Sequence, residues 1–421
     1  MSVRIFHPTV APFVQQAALA LHEAGQLDRF VTSIRHDPSS PRQRAAFAVA
    51  RLAGWDLERE FRRRRIDGLP LDRVDSHPWG EFLRVATARL DRDGRATDFV
   101  WERVEQAFDR RVARGLHPRL TGIYAYEYCS LAAITRARRL GIPVAYDMPA
   151  PEPTFVQAIL DRELAKFPEL VTPWHGWTAA REARRIARRH AEFRGADLVI
   201  AASEFTRSSF GPAGLDVGKV RVVPYGAPPV APPPPDGPPR AEPLSLLWAG
   251  TFSVRKGAHY LLEAWRRHDL GRHARLHVFG SVALPPRVLQ PAPDGVEFHG
   301  AVPQAELLAW YHRADALVFP TLCDGFGMVV TEAWSRGVPV LTTRAAGAAD
   351  LLESGRNGLL IEPGSAEAIA RAVLWCLDHR SELRAMREAS LATAAGWQWS
   401  DYRQRLAAVL AEAGFFRSRD G

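Results

Sequence analysis

The chain predicts an α/β protein with two Rossmann-like, doubly wound halves facing a cleft. Three observations carry this. A run of prolines, G-A-P-P-V-A-P-P-P-P-D-G-P-P-R-A-E-P at residues 226–243, can form neither helix nor central strand and reads as a semi-rigid spacer. After it, short apolar runs alternate strictly with helical patterns. Before it, residues 122–128 and 143–147 are strand-like and flank the helical R-A-R-R-L-G, which is the punctuation of a βαβ unit.

Composition agrees. A chain of 421 residues can bury two ordinary cores, and 47% apolar with 24% charged residues is the balance of a soluble globular protein. No apolar run approaches the roughly 18 residues of a spanning helix. The opening M-S-V-R-I-F-H-P enters strand-like residues directly, so no secretory signal is expected. Cys129, Cys323 and Cys376 are far apart without metal spacing, which fits a reducing cytoplasm. The net charge of +8 points to an anionic partner without choosing among nucleotide, nucleic acid and membrane surface. The arginines are not interleaved with stacking aromatics, so no nucleic-acid partner is expected.

In the first half, residues 3–7 read as a strand and residues 14–24 as a helix. The intervening H-P-T-V-A-P is not the dinucleotide fingerprint G-x-G-x-x-G. His7 either faces a cleft at the strand end or is a solvated loop histidine. Residues 41–113 read as helical and arginine-rich, densest at Arg62–Arg65. Asp91-Arg92-Asp93 has D-x-D spacing but follows a helix-like segment instead of an apolar strand, so no metal is expected. The loop from Asp147 to Pro153 follows a strand and carries Asp147 and Glu152, as a substrate loop or a surface loop. In residues 178–194, Arg181, Arg184, Arg185 and Arg188 share one helical face, either solvated or a patch for an anionic acceptor or lipid surface. Residues 197–203 and 220–224 complete this half as strands.

In the second half, strands are expected at 244–249, 275–279, 295–299, 316–320, 338–342 and 358–362, with helices over 365–410. The first strand ends in W-A-G-T-F-S-V-R-K-G, where Gly250 permits a tight turn and Arg255-Lys256 precede a helix. Two cations beside a helix start suit a diphosphate and stabilise its charge as it leaves. At residues 318–343, V-F-P-T-L-C-D-G-F-G-M-V-V-T-E-A-W-S-R-G-V-P-V-L-T-T, a strand enters a glycine-broken loop, a short helix from about Met328, and a second buried strand. Gly325 and Gly327 allow close backbone approach, and Asp324 and Glu332 flank the turn.

These motifs together resemble the GT-B glycosyltransferases of the large retaining family 4, the glycosyltransferase group 1 type. The family's E-x7-E motif stands here as Asp324 to Glu332, followed by S-R-G-V-P-V-L-T-T, Gly347, Glu353 and R-N-G-L-L-I-E-P-G. R-K-G at 255–257, V-E-F-H-G-A-V-P at 296–303, A-D-A-L-V-F-P-T at 314–321, D-L-V-I-A-A-S and K-V-R-V-V-P-Y-G at 219–226 also match. The resemblance spans most of residues 195–380 and is only general before about residue 120.

The resemblance implies a hexosyltransferase acting on a nucleotide diphosphate sugar, with retained anomeric configuration, no cofactor and no bound metal. Residues 1–225 would bind the acceptor (glycan, lipid-linked or small-molecule) and residues 244–400 the donor, with a helix over 401–421 returning to the first half. Glu332 would accept from ribose hydroxyls, and Asp324 would hold hydroxyls of the transferred sugar. Arg255 and Lys256 would hold the diphosphate, beside Gly250, Gly325 and Val329. Backbone N–H groups around Phe326, Gly327 and Met328 would meet sugar and phosphates, and the leaving phosphate would help take the acceptor proton. His7 and Asp147 are the acceptor-side candidates. The sequence departs from the family in three places. Asp324 is one methylene shorter than the usual Glu, His7-Pro8-Thr9-Val10 replaces a glycine-rich loop, and the histidine that many members place near the reacting sugar has no clear match. A sugar phosphorylase or epimerase of the same fold, or a non-catalytic nucleotide-sugar binder, are the alternatives. The basic helices allow peripheral contact with the inner membrane surface.

Overall fold

Seven parallel strands form the first sheet: β1 (Val3–Phe6), β2 (Leu27–Thr32), β3 (Val74–Ser76), β4 (Gly122–Tyr126), β5 (Val144–Met148), β6 (Leu198–Ala201) and β7 (Val220–Val222). Their order is β3-β2-β1-β4-β5-β6-β7. Six more form the second: β8 (Leu244–Ala249), β9 (Ala274–Phe279), β10 (Val296–Gly300), β11 (Ala316–Phe319), β12 (Val340–Thr342) and β13 (Gly358–Leu360), in the order β10-β9-β8-β11-β12-β13. In both sheets the order reverses beside the first strand, between β1 and β4 and between β8 and β11. Open parallel sheets bind ligands at such switch points, outside the carboxyl ends of the strands. The computed structural model describes all residues except 1, 38, 53, 55, 57, 59, 60, 62, 63, 92, 232–242 and 417–421.

The central strands read as continuous apolar runs because helices cover both faces. β4, β5, β6 and β11 are buried along their whole length, and Trp248, Trp265 and Trp334 are completely enclosed. Two strands lie where only helix was expected or nothing was assigned. β2 carries Asp28 and Arg29 in mid-strand, and β3 is a three-residue edge, so neither has the apolar run that marks a central strand.

Among the described residues the halves are tied at several places, three of them away from the cleft. The described start of the proline-rich segment is packed instead of free: Ala227 N–H donates to Trp397 O (2.7 Å), Arg336 donates to Pro229 O (2.7 Å), and Ala231 N–H donates to Ser335 O (2.9 Å). The helix Trp399–Glu412 lies on the helix Pro12–Glu23, where Arg403 pairs with Glu23 at 2.7 Å. The helix Pro153–Lys166 reaches the second half, its Glu163 accepting from Tyr260 (2.8 Å) and bonding His259 (3.1 Å).

The arginine-rich helix Pro173–Gly195 corrects both sequence readings of its basic face. Arg181 and Arg185 pair with Asp98 at 2.8 Å, Arg184 with Glu102 at 2.8 Å, and Arg188 with Asp109 at 2.5 Å. All three carboxylates belong to the helix Arg95–Gly115, so this face is an internal seam. Of the basic run at 62–65, Arg62 and Arg63 lie outside the described residues, while Arg64 pairs with Glu81 and Arg65 with Asp67, each at 2.5 Å. Asp91 and Asp93 accept from the backbone N–H of Thr97 (2.7 Å) and Arg95 (3.1 Å), which caps a helix start; Arg92 lies outside the described residues. Among the described residues no helix is long and apolar enough to cross a membrane.

Candidate functional site

β8 and β11 lie side by side at the second switch point, and the loops leaving them are built into one another. After β8 the chain turns at Gly250 (φ +105°), passes through the 3-10 turn Val254–Lys256, and enters the helix Ala258–Arg267 at Gly257 (φ +76°). A Cβ on Gly257 would overlap the Pro320 carbonyl at the end of β11, so only glycine allows this contact. Arg255 donates to Cys323 O (2.9 Å) and its own carbonyl accepts from Leu322 N–H (3.0 Å).

This interlock delivers both cations to one carboxylate. Lys256 Nζ lies 3.6 Å and Arg255 Nη2 4.0 Å from Asp324 Oδ2. These separations exceed hydrogen-bond lengths, so charge holds the trio together while donors remain for a ligand. Lys256 Nζ sits 5.2 Å from the centre of the Phe319 ring and 3.1 Å from where a Cβ on Gly250 would stand. Gly250 therefore makes the room in which the ammonium lies.

The turn after Asp324 is tight. Phe326 N–H donates to Asp324 Oδ1 (3.3 Å), and Asp324 N–H donates to Ala345 O (2.8 Å). The Phe326 amide is thus used inside the turn instead of being free for a ligand, and its buried ring meets Tyr225 of the first half edge-on at 5.3 Å. A Cβ on Gly325 would collide with the Pro149 carbonyl. The Gly325 carbonyl accepts from Ser203 Oγ (2.6 Å) and Thr206 Oγ1 (3.1 Å), so the first half grips this loop directly. Gly327 (φ +81°) starts the helix Met328–Trp334 with no side-chain cap. One turn on, Glu332 accepts from Gln304 Nε2 (3.1 Å) and Tyr311 OH (3.3 Å); Val329 O also faces that hydroxyl at 3.4 Å. Burial pushes the Glu332 carboxyl up, and its two hydrogen bonds and the charges of Arg336 and Lys256 pull back.

The two acceptor-side candidates stand in a separate aromatic cluster. His7 is half-buried at the end of β1, its ring packed edge-on against Tyr126 (5.0 Å) and near Phe13 (6.5 Å), with Nδ1 accepting from Thr9 N–H (3.0 Å). Burial lowers its pKa to about 4, partly offset by the Thr9 backbone, so the imidazole is neutral at physiological pH. Asp147 is completely buried and accepts from Tyr124 OH (2.6 Å), with no hydrogen-bond partner on its other oxygen among the described residues. Burial raises its pKa to about 7. It is therefore not an exposed group ready for an acceptor hydroxyl. Glu152 caps the helix Pro153–Lys166 and bonds His190 (2.7 Å), a structural post.

A carboxylate the sequence reading passed over lies nearer the cations. Glu127 follows β4, pairs with Arg189 (3.2 Å), and is raised by burial while Arg189 and Arg255 oppose the rise. The next residue, Tyr128, has φ +69°, a left-handed conformation rare for a bulky side chain and found where a site over-determines it. Trp101 stacks on the Tyr128 ring at 4.9 Å and Glu192 accepts from its N–H at 2.6 Å, which hold that turn. Glu127, Arg189 and Arg255 line a cavity of about 690 Å³ with Trp174, Asp161 and Glu182. A strand end followed by E-Y-C-S carries no motif, so only the folded backbone marks this carboxylate.

Residues 243–379 match the family model described as "Glycosyl transferases group 1". The D-inositol 3-phosphate glycosyltransferase 1 of Catenulispora acidiphila is 31% identical over 184 residues, covering 40% of this chain and 44% of that protein. The glycogen synthase of Mycobacterium tuberculosis is 32% identical over 150 residues, 33% of this chain and 35% of that one. These matches span less than half the length of the curated relatives. Among solved structures, sucrose-phosphate synthase from Thermosynechococcus elongatus superposes with a TM-score of 0.64 at 18% identity over 98% of each chain. Anabaena HepE in complex with UDP and glucose gives 0.60 at 18% identity, over 98% of this chain and 99% of that one. At that identity the likeness establishes the fold: two Rossmann-like halves of the GT-B type.

Proposed function

We propose that this chain is a glycosyltransferase, moving a sugar from a nucleotide diphosphate sugar to an acceptor held mainly by the first half. The observation that carries the reading is the convergence of Arg255 and Lys256 on Asp324 at the second switch point, with Glu332 one helical turn beyond. Cations set against the carboxylate suit a diphosphate next to a polyol, and the group 1 match covers all four residues.

In this reading Arg255 and Lys256 hold the diphosphate and stabilise the charge that grows on it as the bond to the sugar C1 breaks. Asp324 accepts from hydroxyls of the transferred sugar, and Glu332 from those of the ribose. The acceptor oxygen forms the new bond to C1, and its proton passes to the departing phosphate. Transfer proceeds with retained configuration and without a bound metal. Glu127 and Arg189 orient the acceptor in the cavity beside Arg255, and Trp174 offers an aromatic face to a sugar ring. The cavity sets these polar groups beside an apolar wall that includes Val156, Leu160 and Leu164, a lining that suits a glycan, lipid-linked or small-molecule acceptor. The three buried free cysteines accord with a cytoplasmic enzyme. The seam arginines offer no support for a membrane patch.

The test is a screen of nucleotide diphosphate sugars for thermal stabilisation and for release of nucleotide diphosphate, with and without simple sugars and polyols. Acceptor-dependent release of one nucleotide supports the reading. Phosphate-dependent release of sugar phosphate, or an epimerised donor, would replace it with the phosphorylase or epimerase reading. Donor binding without turnover would leave a binding protein.

A further inference from the structure

The outer edge of the second sheet carries a side-chain cluster that the donor site does not use. β10 is the edge strand, and its register sets Glu297 opposite His277 of β9. The ladder shifts between Phe298 and Gly300, and His299 comes to the same spot. His277 Nδ1 is then 3.1 Å from His299 Nε2 and 3.3 Å from Glu297 Oε2, while His299 Nε2 is 3.7 Å from Glu297 Oε2. The rings are fixed from outside. Phe279 stacks on His299 (4.5 Å, 9°), and Trp310 lies 4.9 Å from His277 and 5.1 Å from His299.

We propose that His277, Glu297 and His299 form a binding site for a borderline divalent cation of the Zn²⁺ class, with a fourth position open to solvent or to a further ligand. Ligand atoms about 2.0–2.1 Å from a tetrahedral centre lie about 3.3–3.4 Å from one another, and the three observed separations bracket that value. Two imidazole nitrogens and one carboxylate are a donor set suited to such ions. Hydrogen bonding alone serves this cluster poorly. Each of the two neutral imidazole nitrogens either carries an N–H or a lone pair, and in every combination at least one edge of the triangle sets like against like, N–H against N–H or lone pair against lone pair. A cation accepts from all three at once. Two arginines stand near this cluster: Arg275 on β9 turns its guanidinium back to the carbonyls of Gly271 (2.5 Å) and Ala274 (3.2 Å), and Arg313 lies over the Trp310 ring at 5.0 Å.

Such an ion would cross-link the edge strand to its neighbour and seat Trp310. Trp310 shares the helix Gln304–Tyr311 with both partners of Glu332. The role is that of a structural clamp, apart from the diphosphate site.

The full chain, stripped with a chelator and dialysed, is titrated with Zn²⁺ against a chromophoric indicator and separately with Co²⁺. One saturable equivalent is expected, with the intense visible bands of four-coordinate Co²⁺. Affinity should fall at least about tenfold in His299→Ala and in Glu297→Ala. Glu297 is half-exposed at the edge, so its variant tests the site without opening the core; melting curves without metal should match wild type. Absence of one-equivalent binding by the wild type, or wild-type affinity in both variants, would overturn the proposal.

Discussion

Lys256 Nζ stands 3.6 Å from Asp324 Oδ2, although the two residues leave different strands, β8 and β11. Their meeting depends on Gly257 packing against the Pro320 carbonyl, so backbone geometry sets the charge geometry. Asp324 is also where the chain departs from the longer glutamate of the resembling family.

Asp324→Glu should therefore change which sugar is accepted more than whether nucleotide binds. One added methylene would move the carboxylate from its place 3.6 Å from Lys256 Nζ and so, in the proposed reading, change which sugar hydroxyls it meets. The ratio of kcat/KM between two epimeric donor sugars should shift about tenfold or more, with the affinity for the bare nucleotide diphosphate little changed. Competitive steady-state assays on paired donors measure it.

Gly325→Ala should be costly without touching a ligand group. The new methyl would strike the Pro149 carbonyl, and the loop would have to leave its Ser203 and Thr206 bonds. A loss of about 1–3 kcal/mol in unfolding free energy is expected from overpacking. Gly176→Ala, in the helix Pro173–Gly195 with open space at its Cβ, should instead be neutral or stabilising by up to about 1 kcal/mol. Denaturant titrations of the pair provide the comparison.

Much of the second half was legible in the sequence because its central strands β8, β11 and β12 are largely apolar and its loops carry glycine where the backbone crosses another chain segment. Arg255, Lys256, Asp324 and Glu332 could be named from spacing and resemblance alone. The first half was less legible for physical reasons. The four arginines of the helix Pro173–Gly195 look like a basic patch until Asp98, Glu102 and Asp109, some 80 residues earlier, pack against them. Glu127 gains its position from the left-handed turn at Tyr128, which no local pattern announces. Asp147 was rightly placed at a strand end, yet the tyrosines Tyr124 and Tyr126 that enclose it come from another strand.

Asp147 should leave a mark on the pH dependence of stability. Its pKa is about 7 folded against an ordinary 3.8, burial being the main cause. Between those values the folded state keeps a proton that the unfolded state loses, so stability falls as pH rises across this window. Asp147→Asn removes that slope and should equal or exceed wild-type stability above pH 7. Glu192, raised by burial to about 7, and Glu105, raised to about 8, contribute slopes of the same sign that remain in the variant. Melting temperatures from pH 4 to 8 test it.

Glu127→Gln should separate the two substrates. The carboxylate lines the cavity beside Arg255 but lies outside the Lys256–Asp324–Glu332 set. A fall in kcat of at least about tenfold is expected, with donor KM little altered. An equal loss in donor affinity would move Glu127 into the donor site.

The most direct test of the account is calorimetric titration of the preferred nucleotide diphosphate sugar into wild type, Lys256→Ala and Glu332→Gln. Losing a charge-assisted contact to the diphosphate or the ribose should weaken binding by about ten- to a hundredfold in each variant, in keeping with about 1.5–3 kcal/mol per charged hydrogen bond. Donor affinity equal to wild type in both variants would contradict the placement of the donor at this switch point.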